Sequence, residues 1–377
     1  MKTEQISQNQ LLLFMILYFY STLVGFSAAH LIHSSQYDSL LVVCIGGVAG
    51  GIYAYFIIKL ANRRPNEFFV HYGSEIFPKW IHILFTGFYF LTYLHISAFI
   101  LREYEDFIVQ TYLSETPNWA VGAILGMVVA ITARLGIQTI FRTAQGLFFL
   151  VLIASAMNTF FIGKELKWDR WMAFITNHSG HDIFTGSYTT IPFFGEIVVL
   201  VFIFPYLTPK KKTFQSVAWA ILLSILLISV NIAFLLLLFG PNLASHLTYP
   251  MLEMVRYIRI ADFIENLDPF LISIWSTTVY LKISLLFFLS THILAHLFRL
   301  KDHRPLTFSL AAVMVALSLQ MSGGTAALTG FYKESWATYS YFIEGIPILY
   351  LLMDTLKRFI RKRSSKKEEI SQKEHGH

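Results

Sequence analysis

The sequence predicts an all-α integral membrane protein of about ten transmembrane helices arranged as two halves of five. Three observations carry this. Hydrophobic residues make up 55% of the 377 residues and charged residues only 14%, against roughly 25% charged in soluble domains. Apolar stretches of about 20 residues, the length that crosses a hydrocarbon core, recur along the chain. Lysine and arginine alternate between dense and sparse loops in step with those stretches.

Helix 1 is expected over residues 10–31, helix 2 over 40–60, helix 3 over 80–107, helix 4 over 119–135 and helix 5 over 144–162. Helix 6 follows over 189–207, helix 7 over 214–239, helix 8 over 269–298, helix 9 over 306–320 and helix 10 over 339–359. Residues 1–361 then form one membrane domain, with residues 10–162 and 189–359 as its halves and residues 362–377 as a basic tail. With ten spans, one set of loops and both ends of the chain hold twenty-one of the 29 Lys and Arg residues, and the opposite loops hold seven. The positive-inside rule places both termini in the cytoplasm. The net charge of +6 reads as topology and affinity for anionic lipid, not as nucleic-acid binding. The outer connection over residues 240–268 has helical periodicity in Met251, Met254, Val255, Ile258, Phe263 and Ile264, which predicts a surface helix.

Five spans per half is odd, so the second half enters the membrane in the opposite sense. Many secondary transporters share that inverted repeat and place a site at midplane between interrupted helices. The helices to inspect for breaks are the first of each half. Helix 1 carries Ser21-Thr-Leu-Val-Gly-Phe-Ser27 and helix 6 carries Thr190-Ile-Pro-Phe-Phe-Gly-Glu196.

Lys282, near the middle of helix 8, is the most informative residue. A lysine there costs roughly 2.5–3.5 kcal/mol on insertion scales and needs a partner or a wet cavity. Glu196 on helix 6 is a second intramembrane charge and the natural counter-charge. The alternative is that Glu196 only hydrogen-bonds the helix 1 backbone. A helical projection places Ser273, Thr277, Ser284 and Thr291 on one stripe flanked by Thr278 and Lys282, with Ile272, Val279, Ile283, Leu286 and Leu294 opposite. The polar stripe is expected to face the bundle and the apolar one the lipid, although Ser and Thr can equally serve as interhelical hydrogen bonders. Tyr89 and Tyr93 share a face of helix 3, and His95 reads as a core histidine. Gly46/Gly50 and Gly47/Gly51 fit close helix packing.

Several chemistries have no support. The only cysteine is Cys44, which excludes disulfides and cysteine-based metal sites. No phosphate-binding loop, His-Glu-x-x-His or Gly-x-Ser-x-Gly pattern occurs, and the thirteen histidines are scattered. No cofactor, metal or enzymatic activity is expected.

The stretch Arg259-Ile-Ala-Asp-Phe-Ile-Glu-Asn-Leu-Asp-Pro-Phe-Leu-Ile-Ser-Ile-Trp275, followed by Lys282, resembles the B subunit of spore germinant receptors, the GerAB type, in the amino acid–polyamine–organocation superfamily. Phe194-Gly-Glu196 resembles a Phe-x-Gly-(Phe)-Glu element of that superfamily, with one residue missing or altered. The resemblance covers roughly residues 8–360. It implies a LeuT-like fold with helices 1 and 6 broken at a central site, and a role in sensing a small nutrient, usually an amino acid, in the inner membrane of the endospore. It also implies partnership with a membrane A subunit and a lipoprotein C subunit. Candidate ligand-binding residues on that basis are Ser21, Thr22, Gly25, Tyr93, Phe193, Phe194, Gly195, Glu196, Thr277 and Thr278. The Lys282 ammonium is placed where sodium-coupled relatives of the fold bind a cation. A proton-coupled amino-acid permease and a ligand-free scaffold are the other readings.

Overall fold

The computed structural model describes residues 5–22, 27–257, 268–321, 330 and 335–374, with side chains through residue 361. Helix 1 is described in two parts, and the break expected between them falls on residues 23–26, outside the described residues. Its first part, α1, is Gln8–Thr22 and its second, α2, is Ala28–Ser35. Then come α3 (Ser39–Ala61), α4 (Phe69–Ile76), α5 (Lys79–Thr111), α6 (Asn118–Leu135) and α7 (Ile137–Ile162). The second half opens with the short α8 (Ala173–Thr176) and α9 (Gly180–Gly195). At Glu196 helix 6 tightens to a 3-10 turn through Val199, then continues as α10 (Leu200–Ile203). The remaining helices are α11 (Thr213–His246), α12 (Pro250–Arg256), α13 (Asp268–Leu297), α14 (Thr307–Gln320) and α15 (Ala337–Glu374). Seven of the helical segments among the described residues are long and apolar enough to cross a membrane.

The two halves exchange their opening helices. α1 packs along α11, and α9 along α3, so each half's first helix lies against the other half's second. The glycines of α3 make the second contact possible. A side chain at Gly46 or Gly50 would run into Phe194, and one at Gly47 into Ile225 of α11, whereas Gly51 faces open space. At one end a two-residue parallel pairing joins β1 (Ile6–Ser7) to β2 (Leu207–Thr208), just beyond helix 6. Basic loops meet at this same end. Arg63, Arg64 and Arg358 all pair with Asp354, and Lys210 Nζ donates to Asn66 Oδ1 at 2.8 Å.

Four local features depart from the sequence reading. First, α4 was not anticipated. Its Phe69, Tyr72 and Ile76 are buried, and His82 of α5 holds it, with Nε2 on the Val70 carbonyl (2.7 Å) and Nδ1 on the Tyr350 hydroxyl (2.8 Å). Second, helix 6 begins nine residues earlier than expected, at Gly180 rather than 189. Its first turns are polar, and Ser179 caps them by accepting from the Asp182 amide at 3.3 Å.

Third, α11 runs past Phe239 through a kink at Gly240, whose φ of 76° suits only glycine comfortably. Pro241 follows, and the carbonyls freed at Leu237 and Leu238 accept from the Arg170 guanidinium at 3.3 and 2.8 Å. Fourth, the helix 8 projection is corrected. Val279, Ile283 and Leu286, expected to face lipid, are 0–1% exposed, while Ser273 of the supposed inner stripe is exposed. The reason is position: α13 packs on α1, α5, α6 and α7, so no residue from Ile274 to Leu297 is exposed. A two-faced projection presumes a single buried side.

The outer segment before helix 8 is described only in part. In α12, Met251, Met254 and Val255 are buried, so this half packs on the protein rather than resting on a membrane surface. Ile258, Phe263 and Ile264 lie outside the described residues. Asp268, at the start of α13, accepts from Arg256 Nε and from the Tyr112 hydroxyl, both at 3.0 Å. Burial, reinforced by the neighbouring Asp268 carboxylate, holds the Tyr112 phenol above its ordinary pKa, so it remains a donor.

Candidate functional site

The site forms where Thr22, the last described residue of α1, and the loosened turn of helix 6 at Glu196 face α13. Pro192 brings no amide to the α9 ladder, and Gly195 brings no side chain, so the helix loosens just before Glu196. α1 ends at Thr22. Between them Lys282 is anchored on three sides. Its Nζ lies 2.5 Å from Glu196 Oε2, donates to Thr22 Oγ1 at 2.6 Å, and stands 4.9 Å from the centre of the Tyr18 ring. The lysine is 2% exposed and the glutamate 7%. A charge so deeply buried survives only with such partners, and an ammonium over a ring face gains a further cation–π attraction.

Two cavities flank this pair. One is bounded by Ser21, Thr22, Glu103, Trp275, Val279 and Lys282. The other, on the far side of Glu196, is bounded by Tyr18, Thr92, Tyr93, Trp336, Ser340 and Glu344. A third, apolar space lies toward α3 and includes Thr22, Ser27, Thr190, Phe193 and Phe194. The whole region is thus a polar spine of carboxylates and hydroxyls with one fixed ammonium, walled by aromatic rings.

Most of the residues singled out from the sequence converge here. Ser21, Thr22, Tyr93, Phe193, Phe194, Glu196 and Lys282 all border one of the three spaces. The Ser21 hydroxyl is turned back onto the Tyr18 carbonyl at 2.7 Å. Phe194 packs on Phe19 with ring centres 5.4 Å apart, and Phe193 lies parallel to Trp336 at 6.4 Å. Gly195 lies directly under the Glu344 carboxylate, with no room for a side chain. Gly25 lies outside the described residues.

Thr277 and Thr278 do not border these cavities. Thr277 is half-buried, and Thr278 donates to the Trp275 carbonyl at 3.1 Å. The face of α13 that reaches the site is the helical stripe Trp275, Val279, Lys282 and Leu286, which joins Lys282 to Val279 and Leu286, two residues the projection assigns to lipid.

Sequence reasoning passed over two features. Glu344 is a carboxylate in the apolar run of helix 10, ten residues before Asp354, and the argument that singled out Glu196 applied equally to it. The second is a set of histidines far apart in sequence. His71 Nε2 meets His296 Nδ1 at 3.0 Å, and His296 Nε2 meets His292 Nε2 at 3.3 Å. His292 also meets the Tyr206 hydroxyl at 3.0 Å, and the His303 ring stands 5.4 Å away. Four of the scattered histidines therefore link α4, α13 and the end of helix 6; the i, i+4 spacing of His292 and His296 announces only that one pair.

With this geometry in place, comparison with known proteins is informative. Residues 5–323 match the family model described as spore germination protein. Spore germination protein KB of Bacillus subtilis (strain 168) is 23% identical over 290 residues, covering 76% of this chain and 77% of that one. Spore germination protein GerLB of Bacillus cereus is 23% identical over 332 residues, covering 85% and 86%. Among solved structures, MhsT in complex with L-phenylalanine superposes with a TM-score of 0.65 at 12% identity, covering 94% of this chain and 89% of that one. Mhp1, a nucleobase-cation-symport-1 family transporter in a closed conformation with bromovinylhydantoin bound, gives 0.62 at 15% identity, with 92% and 78% covered. A Na+-coupled sialic acid symporter in a substrate-bound outward-open state gives 0.69 at 10% identity, with 93% and 79% covered. The fold is that of the LeuT-like transporters, an all-α membrane architecture.

Proposed function

Because this chain belongs to the spore germination protein family, we propose that it is the nutrient-sensing subunit of a spore germinant receptor. It binds a small nutrient, an amino acid above all, in the central space between helices 1, 3, 6 and 8. It acts by binding and conformational change, with no bond made or broken. In this reading it lies in the inner membrane of the endospore with both termini cytoplasmic, and passes its signal to A and C subunits.

The observation that supports this most is the anchored Lys282 ammonium. Fold relatives include a Na+-coupled symporter and a nucleobase-cation-symport transporter. Here a covalently fixed cation lies between the broken helices, so the ligand-ready arrangement needs no dissociable ion and no ion gradient. The half-helix ends supply amides and carbonyls that suit a carboxylate and an ammonium. A ligand then shifts the equilibrium between two packings of the halves by its differential affinity for them.

Spores in which Lys282→Met replaces the natural chain should lose the germinant response, with Lys282→Arg retaining part of it. An unchanged response in Lys282→Met spores overturns the reading. The second reading, a proton-coupled amino-acid permease, draws on Glu344, a buried carboxylate able to exchange a proton. Uptake of labelled amino acid by proteoliposomes containing this chain alone separates the two: the sensing reading expects none against a gradient, and concentrative uptake would install the permease.

A further inference from the structure

Glu344 introduces an imbalance. Two buried carboxylates, Glu196 and Glu344, border the same cavity, and among the described residues no lysine or arginine lines it. Lys282 is already taken up by Glu196 and Thr22 from the other side. Among the described residues no ion pair reaches the Glu344 side chain, which is 7% exposed. A charged group held like this costs several kcal/mol unless something neutralises it.

The surroundings hold the carboxylate in place. Pro347 has no amide, so the Ile343 carbonyl four residues earlier lacks its helical donor. The Tyr89 hydroxyl supplies one at 3.0 Å. The Tyr53 hydroxyl donates to the Glu344 carbonyl itself. The side chain is pressed over Gly195, at the break in helix 6. A buried hydroxyl without a hydrogen-bond partner among the described residues opens onto the same space, that of Tyr93, which is 2% exposed. Thr92 and Tyr339 pair their hydroxyls at 2.5 Å beside it, and Ser340 adds another. The rest of the wall combines the rings of Tyr18, Tyr93, Trp336 and Tyr339 with aliphatic side chains, among them Ile96 and Leu286.

We propose that this cavity is a second cation subsite, in which Glu344 and the Tyr93 hydroxyl receive an organic ammonium group at the break of helix 6. The chemistry selects the ligand class. A primary ammonium offers three donors, which match a carboxylate and the hydroxyls of Tyr93 and Ser340. Its alkyl portion and charge both suit aromatic ring faces. An inorganic cation would instead require a shell of oxygens in place of rings. Without the ammonium, a proton on Glu344 provides the neutralisation, and it leaves to solvent as the ammonium enters. Occupation pulls α15 toward the loosened turn at Gly195 and Glu196, which links ligand binding to the relative position of the halves. The proposal extends the sensing reading but does not need the ligand to be an amino acid.

The test uses the full chain in nanodiscs and follows thermal unfolding with ethylammonium chloride, against potassium chloride and sodium chloride at equal ionic strength. Ethylammonium should raise Tm saturably, and neither salt should match it. Glu344→Gln should bind it roughly tenfold or more weakly, as expected for losing a charge-assisted hydrogen bond. Glu344→Asp should retain part of the binding, and Tyr93→Phe should weaken it severalfold. Equal stabilisation of Glu344→Gln and wild type overturns the proposal. So does stabilisation by potassium or sodium as strong as by ethylammonium, or no effect of ethylammonium on wild type. If Glu344→Gln does not fold, the Tyr93→Phe comparison decides. Binding of L-alanine is measured in the same preparation. Binding of alanine without ethylammonium removes the subsite and leaves the sensing reading standing, and the reverse pattern does the opposite.

Discussion

Lys282 and Glu196 gain little from pairing compared with what each loses when alone. Taking both charges out of the membrane interior and replacing them with apolar side chains of similar size is often close to neutral, whereas removing one strands the other. Lys282→Met should therefore destabilise the protein by about 3–5 kcal/mol, and Glu196→Leu in the same chain should recover much of that. Unfolding of the purified single and double variants reads both outcomes. Gly195 is constrained by the same spine. Gly195→Ala forces its methyl into the Glu344 carboxylate and should cost about 1–3 kcal/mol, with Glu344→Ser as the relieving second change. At this scale the sequence singled out Lys282 and Glu196, which the structure brings together, because an ionisable group in an apolar run is conspicuous whatever surrounds it. It did not identify which carboxylate borders which cavity, and Thr277 and Thr278 were misplaced because a helical projection carries no information about neighbouring helices.

Elements depart from regularity where a side chain supplies the missing hydrogen bond. The kink at Gly240 frees carbonyls that Arg170 collects from a distant loop. Arg170→Ala should cost about 1–3 kcal/mol by leaving them unsatisfied, read as a lowered unfolding midpoint, and Arg170→Lys should restore only part because it lacks the planar fork. Tyr89→Phe should cost about 1 kcal/mol by leaving the Ile343 carbonyl orphaned above Pro347, read in the same way. The loosening of helix 6 was legible because Pro192 and Gly195 interrupt an otherwise apolar run. α4, the early start of α9 and the histidine chain were not, since each depends on a partner remote in sequence: Tyr350, which meets the His82 that holds α4, Asp38, which accepts from the Ser179 amide before α9, and Tyr206 for the histidines.

The whole molecule is two interlocked halves. α1 leans on α11 and α9 on α3, and the β1–β2 pairing ties the start of the chain to the segment after helix 6. Displacing one half therefore moves the break of the other, and the Lys282–Glu196–Thr22 contacts lie on the line between them. The recurrence of apolar runs along the sequence anticipated an all-α membrane architecture, because the length and composition of such runs depend on the chain alone. The identity of the pocket walls did not follow from it, because α13 is enclosed on all sides by helices from both halves.

The central claim is that Lys282 supplies, permanently, the cation that ion-coupled transporters of this fold must recruit. The most direct test is equilibrium binding of a labelled amino acid to the purified chain in nanodiscs, with and without sodium, for wild type and Lys282→Met. The account predicts sodium-independent binding to wild type and binding weakened roughly tenfold or more in Lys282→Met. Sodium-dependent binding to wild type, or undiminished binding to Lys282→Met, would contradict it.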